Sequence, residues 1–321
     1  MRAFLHSMVV VCLAAGVCVG TQGQGGDATR ILAATREALG GEQKLAAVKT
    51  FVATGRTRQI RGNNLVPIEF EIACELPDKY VRRDEIPAQE SGPTSTGFNG
   101  EGLIQLPPPP PPAPSAQTAK PALVPAAPPD PRKARVTSIK QDFVRLTLGL
   151  FATSFGSYPL TFTLDGQAEA PQGKADIVGV KGAGTFALEF FVNSDTHLPI
   201  MVSWTMPATS VVLVVPGQPA PENLPPGSIK VDAPAPPGAT ATKEEQGKYA
   251  ASIQDLRKKA LTGAKPVEYR IYYADYRDIG NGLKFPFRLR RAIAGETVEE
   301  TNFDTFKING RIDPRKFEVV K

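Results

Sequence analysis

Between residues 66 and 76, large apolar side chains occupy every second position: Val66, Ile68, Phe70, Ile72, Cys74 and Leu76 alternate with Pro67, Glu69, Glu71, Ala73 and Glu75. A period of two is the pleat of an extended strand with one face against a core and the other in water. Each large apolar side chain contributes about 1.5–3 kcal/mol when fully buried. A slip of one residue would drive Glu69, Glu71 and Glu75 inward, so the strand fixes its own register. A chain built around such a segment must supply neighbouring strands and something apolar to cover the dry face.

The neighbours follow in order. Residues 50–60 precede this strand and 79–85 succeed it, with Pro77-Asp78 as the intervening turn signal. Gly97-Phe98-Asn99-Gly100 reads as a tight turn, and 103–106 as the next strand. Later strands are expected at 160–164, 175–180, 185–192 and 198–204, then at 267–276, 285–293 and 297–307. Period two is plain in Val267, Tyr269, Ile271 and Tyr273 and in Phe285, Phe287 and Leu289. Gly280-Asn281-Gly282 and Gly295 mark turns.

Helices are expected to cover the dry face. Asp27 can cap one that carries Ile31, Leu32, Ala38 and Leu39 and ends at Gly40-Gly41. A second helix, over 136–155, places Ile139, Phe143, Leu146, Leu150 and Phe151 on one face, and 243–261 reads as a polar helix. The expected fold class is mainly β with helices (α+β): a curved antiparallel sheet or incomplete β-barrel whose concave face the helices cover.

Two segments do not fit the sheet. Six consecutive prolines, 107–112, open a Pro- and Ala-rich stretch to about residue 135, and a second runs over about 216–242. Such segments cannot donate ladder hydrogen bonds and bury little, so both read as disordered insertions, acting as stiff tethers or as arms for partner proteins. One folded domain over 27–321, interrupted twice, is the expected organisation.

Residues 1–23 read as a signal peptide: Arg2 is the basic start, 8–19 is nearly all apolar, and small or polar residues follow. That run is shorter than the ~20 residues a spanning helix needs. An exported, periplasmic, water-soluble protein is expected, peripheral to a membrane rather than spanning it. A form lipid-anchored through Cys18 is the weaker alternative, because Val17 stands where a small residue is needed. After removal of the leader only Cys74 of the 3 cysteines remains, so the fold must be held by its core rather than by a disulfide.

The charges name no partner. The net charge of +5 is spread along the chain without a basic block interleaved with aromatics, so nucleic acid is not expected. Nor do they name a reaction. Only His6 and His197 occur, and His197 lies in a turn-like stretch, Asn193 to Pro199. Gly182-Ala183-Gly184 leads into a strand-like run, where a dinucleotide loop needs a helix N-terminus. Glu69, Glu71 and Glu75 alternate with core residues as a solvent face does. Neither catalytic residues nor a metal site nor a cofactor is expected.

Several short pieces, in order, resemble the LolA/LolB-like superfamily of bacterial envelope proteins, the outer-membrane lipoprotein-sorting proteins. They are Leu39-Gly40-Gly41 with Leu45, Val48 and Lys49; Leu76-Pro77-Asp78-Lys79-Tyr80 with Arg82; Phe98-Asn99-Gly100; and Asp195-Thr196-His197-Leu198-Pro199. Tyr273-Ala274-Asp275-Tyr276-Arg277 follows, leading to Gly282-Leu283-Lys284-Phe285-Pro286, and Ile308-Asn309-Gly310 with Ile312, Asp313 and Phe317 closes the series. The resemblance implies a half-open barrel plugged by helices, holding a lipid or a lipoprotein acyl chain. Candidate cavity residues are Phe70 and Ile72, Phe143 and Leu146, and Tyr269 and Tyr273. The rival expectation is a structural or interaction domain of the envelope whose Pro-rich arms contact protein partners.

Overall fold

The computed structural model describes residues 23–62, 64–90, 92–108, 130–170, 173–217, 224–238 and 240–319. Residues 1–22 of the expected leader and 109–129 of the first Pro-rich segment lie outside them. The chain opens with α1 (Gly23–Ala38) and α2 (Glu42–Ala46), then β1 (Thr50–Arg61), β2 (Asn64–Glu75), β3 (Lys79–Glu85), β4 (Thr94–Asn99), β5 (Gly102–Leu106) and α3 (Pro131–Phe151). It continues through β6 (Thr161–Ala170), β7 (Gly173–Lys181), β8 (Ala187–Asn193) and β9 (Pro199–Met206) to an excursion of β10 (Val211–Val214), β11 (Ile229–Asp232) and α4 (Lys243–Thr262). The strands β12 (Val267–Asp278), β13 (Lys284–Ile293) and β14 (Glu296–Ile308) end the sheet, and a 3-10 turn, Pro314–Phe317, follows.

Twelve strands form one antiparallel sheet in the order β5-β4-β3-β2-β1-β14-β13-β12-β9-β8-β7-β6. Three meanders are thus joined side by side, β1 to β14 and β12 to β9. The sheet curves without closing, and β5 and β6 are its edges. Register shifts at Thr54/Gly55, Leu164/Gly166, Phe191/Val192 and Arg291/Ala292 mark irregularities of the kind that bend strands. At the first of these a side chain is excluded, since a Cβ on Gly55 would run into the carbonyl of Asn302 and the ring of Phe70.

The concave face carries the core, with α1 and α3 packed into it. Ile31, Leu32 and Leu39 from the N-terminal region and Ile139, Phe143, Val144, Leu148 and Phe151 from α3 join Phe51, Phe70, Ile72, Cys74, Phe190, Val202 and Phe285 of the sheet in one cluster. The alternation in β2 behaves as expected: Ile68, Phe70, Ile72 and Cys74 are buried, whereas Glu69 and Glu75 are exposed. Ala73, on the convex face, is nonetheless buried, because Phe317 folds over it together with Val81 and Ile104.

Four local expectations need correction. The helix expected over 136–155 runs from Pro131 to Phe151, so the first Pro-rich segment ends five residues earlier. Asp130 accepts a hydrogen bond from the Arg132 amide and Pro131 occupies the first turn, where its missing N–H costs nothing. Gly97 and Phe98 form a strand rather than a turn: Phe98 is fully buried opposite Leu103, and only glycine at 97 lets β4 approach the backbone of Tyr80 and Val81. Residues 229–232, inside the second Pro-rich segment, form β11, which pairs in parallel with β10. Asp27 does not cap α1 but lies within it; the helix starts at Gly23, an extra turn that the local glycines do not favour.

Candidate functional site

Between α3 and the concave face a wedge of about 180 Å³ remains unfilled. Its apolar wall is Ile72, Ile139, Leu146, Ile271, Leu289 and Phe303. Its polar wall is Arg82, Thr96, Arg135, Ser138, Asp142, Arg291, Glu299 and Thr301, with Tyr80 between the two. The period of two brings these groups together: Tyr80 and Arg82 follow one another on the inner face of β3, as do Phe285, Phe287, Leu289 and Arg291 on β13.

The inner polar groups are organised by hydrogen bonds. Arg82 donates from Nε to Asp84 at 2.7 Å and from Nη2 to the Thr57 hydroxyl at 3.1 Å, while its guanidinium lies 4.7 Å above the Phe70 ring. The hydroxyls of Thr57 and Thr301 are 2.8 Å apart, and Gln59 donates to Glu299 at 3.2 Å. Burial acts against the charge on Arg82, but Asp84, Tyr80 and Glu299 together outweigh it and hold the guanidinium above its ordinary pKa. Arg82 is therefore a committed cation, tied in place.

Arg145, one turn from Asp142 on α3, is a second cation held inside the fold. It donates to Asp142 at 2.9 Å and lies over Trp204, 4.2 Å from the ring centroid, with Phe186 at 5.2 Å. Its Nε and the Trp204 Nε1 have no hydrogen-bond partner among the described residues. Burial lowers its pKa, Asp142 only partly restores it, and the neighbouring Arg291 lowers it further. The Arg145 carbonyl accepts the Tyr273 hydroxyl, and Tyr276 donates to the Gly149 carbonyl at 3.3 Å, so two tyrosines of β12 hold α3 by its backbone.

Of the six residues expected to line a cavity, Ile72 and Leu146 line the wedge. The other four are placed differently. Phe70 is edge-on to Phe303 at 5.4 Å, beneath Arg82. Phe143 is enclosed by Tyr80, Phe98 and Phe155. Tyr269 stacks on Trp204 at 5.6 Å, and Tyr273 is buried against Gly149. Sequence reasoning missed the arginines. The signal was there: continuing the alternation of β3 and β13 places Arg82 and Arg291 on the same face as Tyr80 and Leu289. His197 sits in the expected turn with φ 56°, where Asn193 Oδ1 accepts the Asp195 and Thr196 amides.

No protein-family model matches the sequence, and no curated protein matches it. Among solved structures, a LolA superfamily protein from Nitrosomonas europaea aligns over 91% of this chain and 97% of its own, at 11% identity and a TM-score of 0.46. A DUF1329 family protein from Desulfovibrio piger aligns over 91% and 97% at 8% identity, TM-score 0.41. A domain from Vibrio parahaemolyticus, described as an outer membrane lipoprotein-sorting protein, aligns over 90% and 97% at 6% identity, TM-score 0.42. No helix among the described residues is long and apolar enough to cross a membrane.

Proposed function

We propose that the chain is an exported, periplasmic carrier that shelters an apolar ligand between α3 and the concave face of the sheet, without covalent chemistry. One observation carries the reading: the unfilled space between α3 and the sheet has an aliphatic wall of Ile72, Ile139, Leu146, Ile271 and Leu289 and an opening to solvent. Ligand pockets usually hold roughly 300–1,000 Å³. The wedge therefore accepts the first part of an acyl chain as it stands, and a longer ligand is accommodated by α3 lifting from the sheet. Binding of a fluorescent fatty acid to the purified protein tests this. Saturable binding that Leu146→Gln weakens supports it; absence of saturable binding overturns it.

A second reading, an interaction module of the cell envelope, is favoured by a groove on the opposite face. It holds about 430 Å³ between Ile104, Leu106, Pro93, Lys316 and Val319, with Leu106 55% exposed. Removing residues 109–129, which leaves the Asp130 cap of α3 intact, separates the readings. A carrier keeps its ligand affinity, whereas an interaction module working through its Pro-rich arm loses its partners.

A further inference from the structure

The wedge has an imbalance of charge that an apolar ligand alone does not explain. Four arginines, Arg82, Arg135, Arg145 and Arg291, face or adjoin it, against three carboxylates, Asp84, Asp142 and Glu299. Two of the arginines are ion-paired: Arg82 with Asp84, and Arg145 with Asp142. Glu299 already accepts from Gln59, and although it stands opposite Arg291 across the β13–β14 pair, the two form no ion pair within 4.0 Å. Arg291 is half-buried and its side chain makes no hydrogen bond or salt bridge among the described residues; Arg135 is exposed on the first turns of α3 at the same opening.

An uncompensated guanidinium removed from bulk water is unfavourable unless an anion meets it, and the fork of an arginine suits the oxygens of a carboxylate or phosphate. The apolar wall begins directly beside these groups, with Leu289 two residues from Arg291 and Ile139 and Leu146 on the face of α3 below Arg135. We infer that the wedge binds a single-chain amphiphile with an anionic head, the head held by Arg291 and Arg135 at the opening and the first carbons of the tail along Leu289, Leu146 and Ile139. This rests on the carrier reading and names the ligand class for the same site. Asp142 and Glu299 lie at the same wall and favour a head of low charge over a multiply charged one.

Calorimetric titration of the full chain with dodecanoate, dodecyl phosphate, dodecanol and inorganic phosphate tests it. Dodecanoate and dodecyl phosphate are expected to bind roughly tenfold or more tightly than dodecanol, the ratio that a charge-assisted hydrogen bond supplies. That gap closes in Arg291→Gln and in Arg135→Gln, and reopens in part in Arg291→Lys. Arg135 lies on the surface of α3, so its variant folds even if replacement of Arg291 disturbs the sheet; circular dichroism checks both. Equal affinity for acid and alcohol, or no effect of either arginine, overturns the anionic head while leaving the carrier intact. Inorganic phosphate binding as tightly as dodecyl phosphate overturns the amphiphile in favour of a free anion. No binding by any of the four overturns the carrier reading and this inference together.

Discussion

At Gly149 the backbone of α3 lies directly against the sheet: a Cβ there would enter the ring of Tyr273. Gly149→Leu should force Tyr273 aside, break its hydrogen bond to the Arg145 carbonyl and destabilise the protein by about 1–3 kcal/mol in denaturant melts, the usual cost of overpacking. Cys74 is the second informative residue. Burial, then the adjacent Glu75, push its thiol well up from the ordinary value. A thiol reagent followed by peptide mapping should leave Cys74 unmodified in the native protein and modify it fully in guanidinium. The linkage has a definite sign, because a group whose folded pKa is raised gives up its proton first in the unfolded chain. The stabilisation is complete below the unfolded thiol pKa of about 8.5 and is lost as pH rises above it. Cys74→Ala should flatten the first part of the alkaline decline, and buried Tyr273 and half-buried Tyr276, raised chiefly by desolvation, continue it at higher pH. The aliphatic half of the wedge was readable in the sequence because Ile72 and Leu146 lie on plain apolar faces. Its arginines were not, since Arg82 and Arg291 look like solvent residues until the alternation of their strands is carried through them.

The long strands were legible because each repeats the two-residue rhythm over 7 to 13 residues. Of the short ones, 103–106 was legible, but others were not. β4 hides behind Gly97 and Asn99-Gly100, which carry turn chemistry although Gly97 serves close strand contact. β10 and β11 are four residues each and pair only with one another, too short a pattern to register. The start of α3 was obscured by proline content, although Asp130-Pro131 is itself a helix-start signal. The 3-10 turn at Pro314–Phe317 has the opposite character, a local feature with a distant purpose. Phe317 is 3% exposed over Ala73, Val81 and Ile104, and its carbonyl accepts from Asn99 at 3.1 Å. Phe317→Ala should cost about 3 kcal/mol in a chemical melt, with increased hydrogen exchange confined to β3–β5 and the convex face of β2.

At the scale of the molecule, the antiparallel sheet with helices on its concave face was legible, but the strand order was not. Nothing in the alternation of β1 or β14 says that they meet, and pairing Phe51 with Ile308 spans most of the chain. Contacts so remote in sequence form late and slowly. Refolding monitored at Trp204, in the β9–β12 region, should therefore precede protection of the β1 amides that face β14 in pulsed hydrogen exchange, and simultaneous acquisition of both would contradict this order. The seam also has a biosynthetic meaning. Until β14 leaves the ribosome, β1 presents a bare border of hydrogen-bonding groups with no partner, so the nascent chain stays unfinished to its last strand.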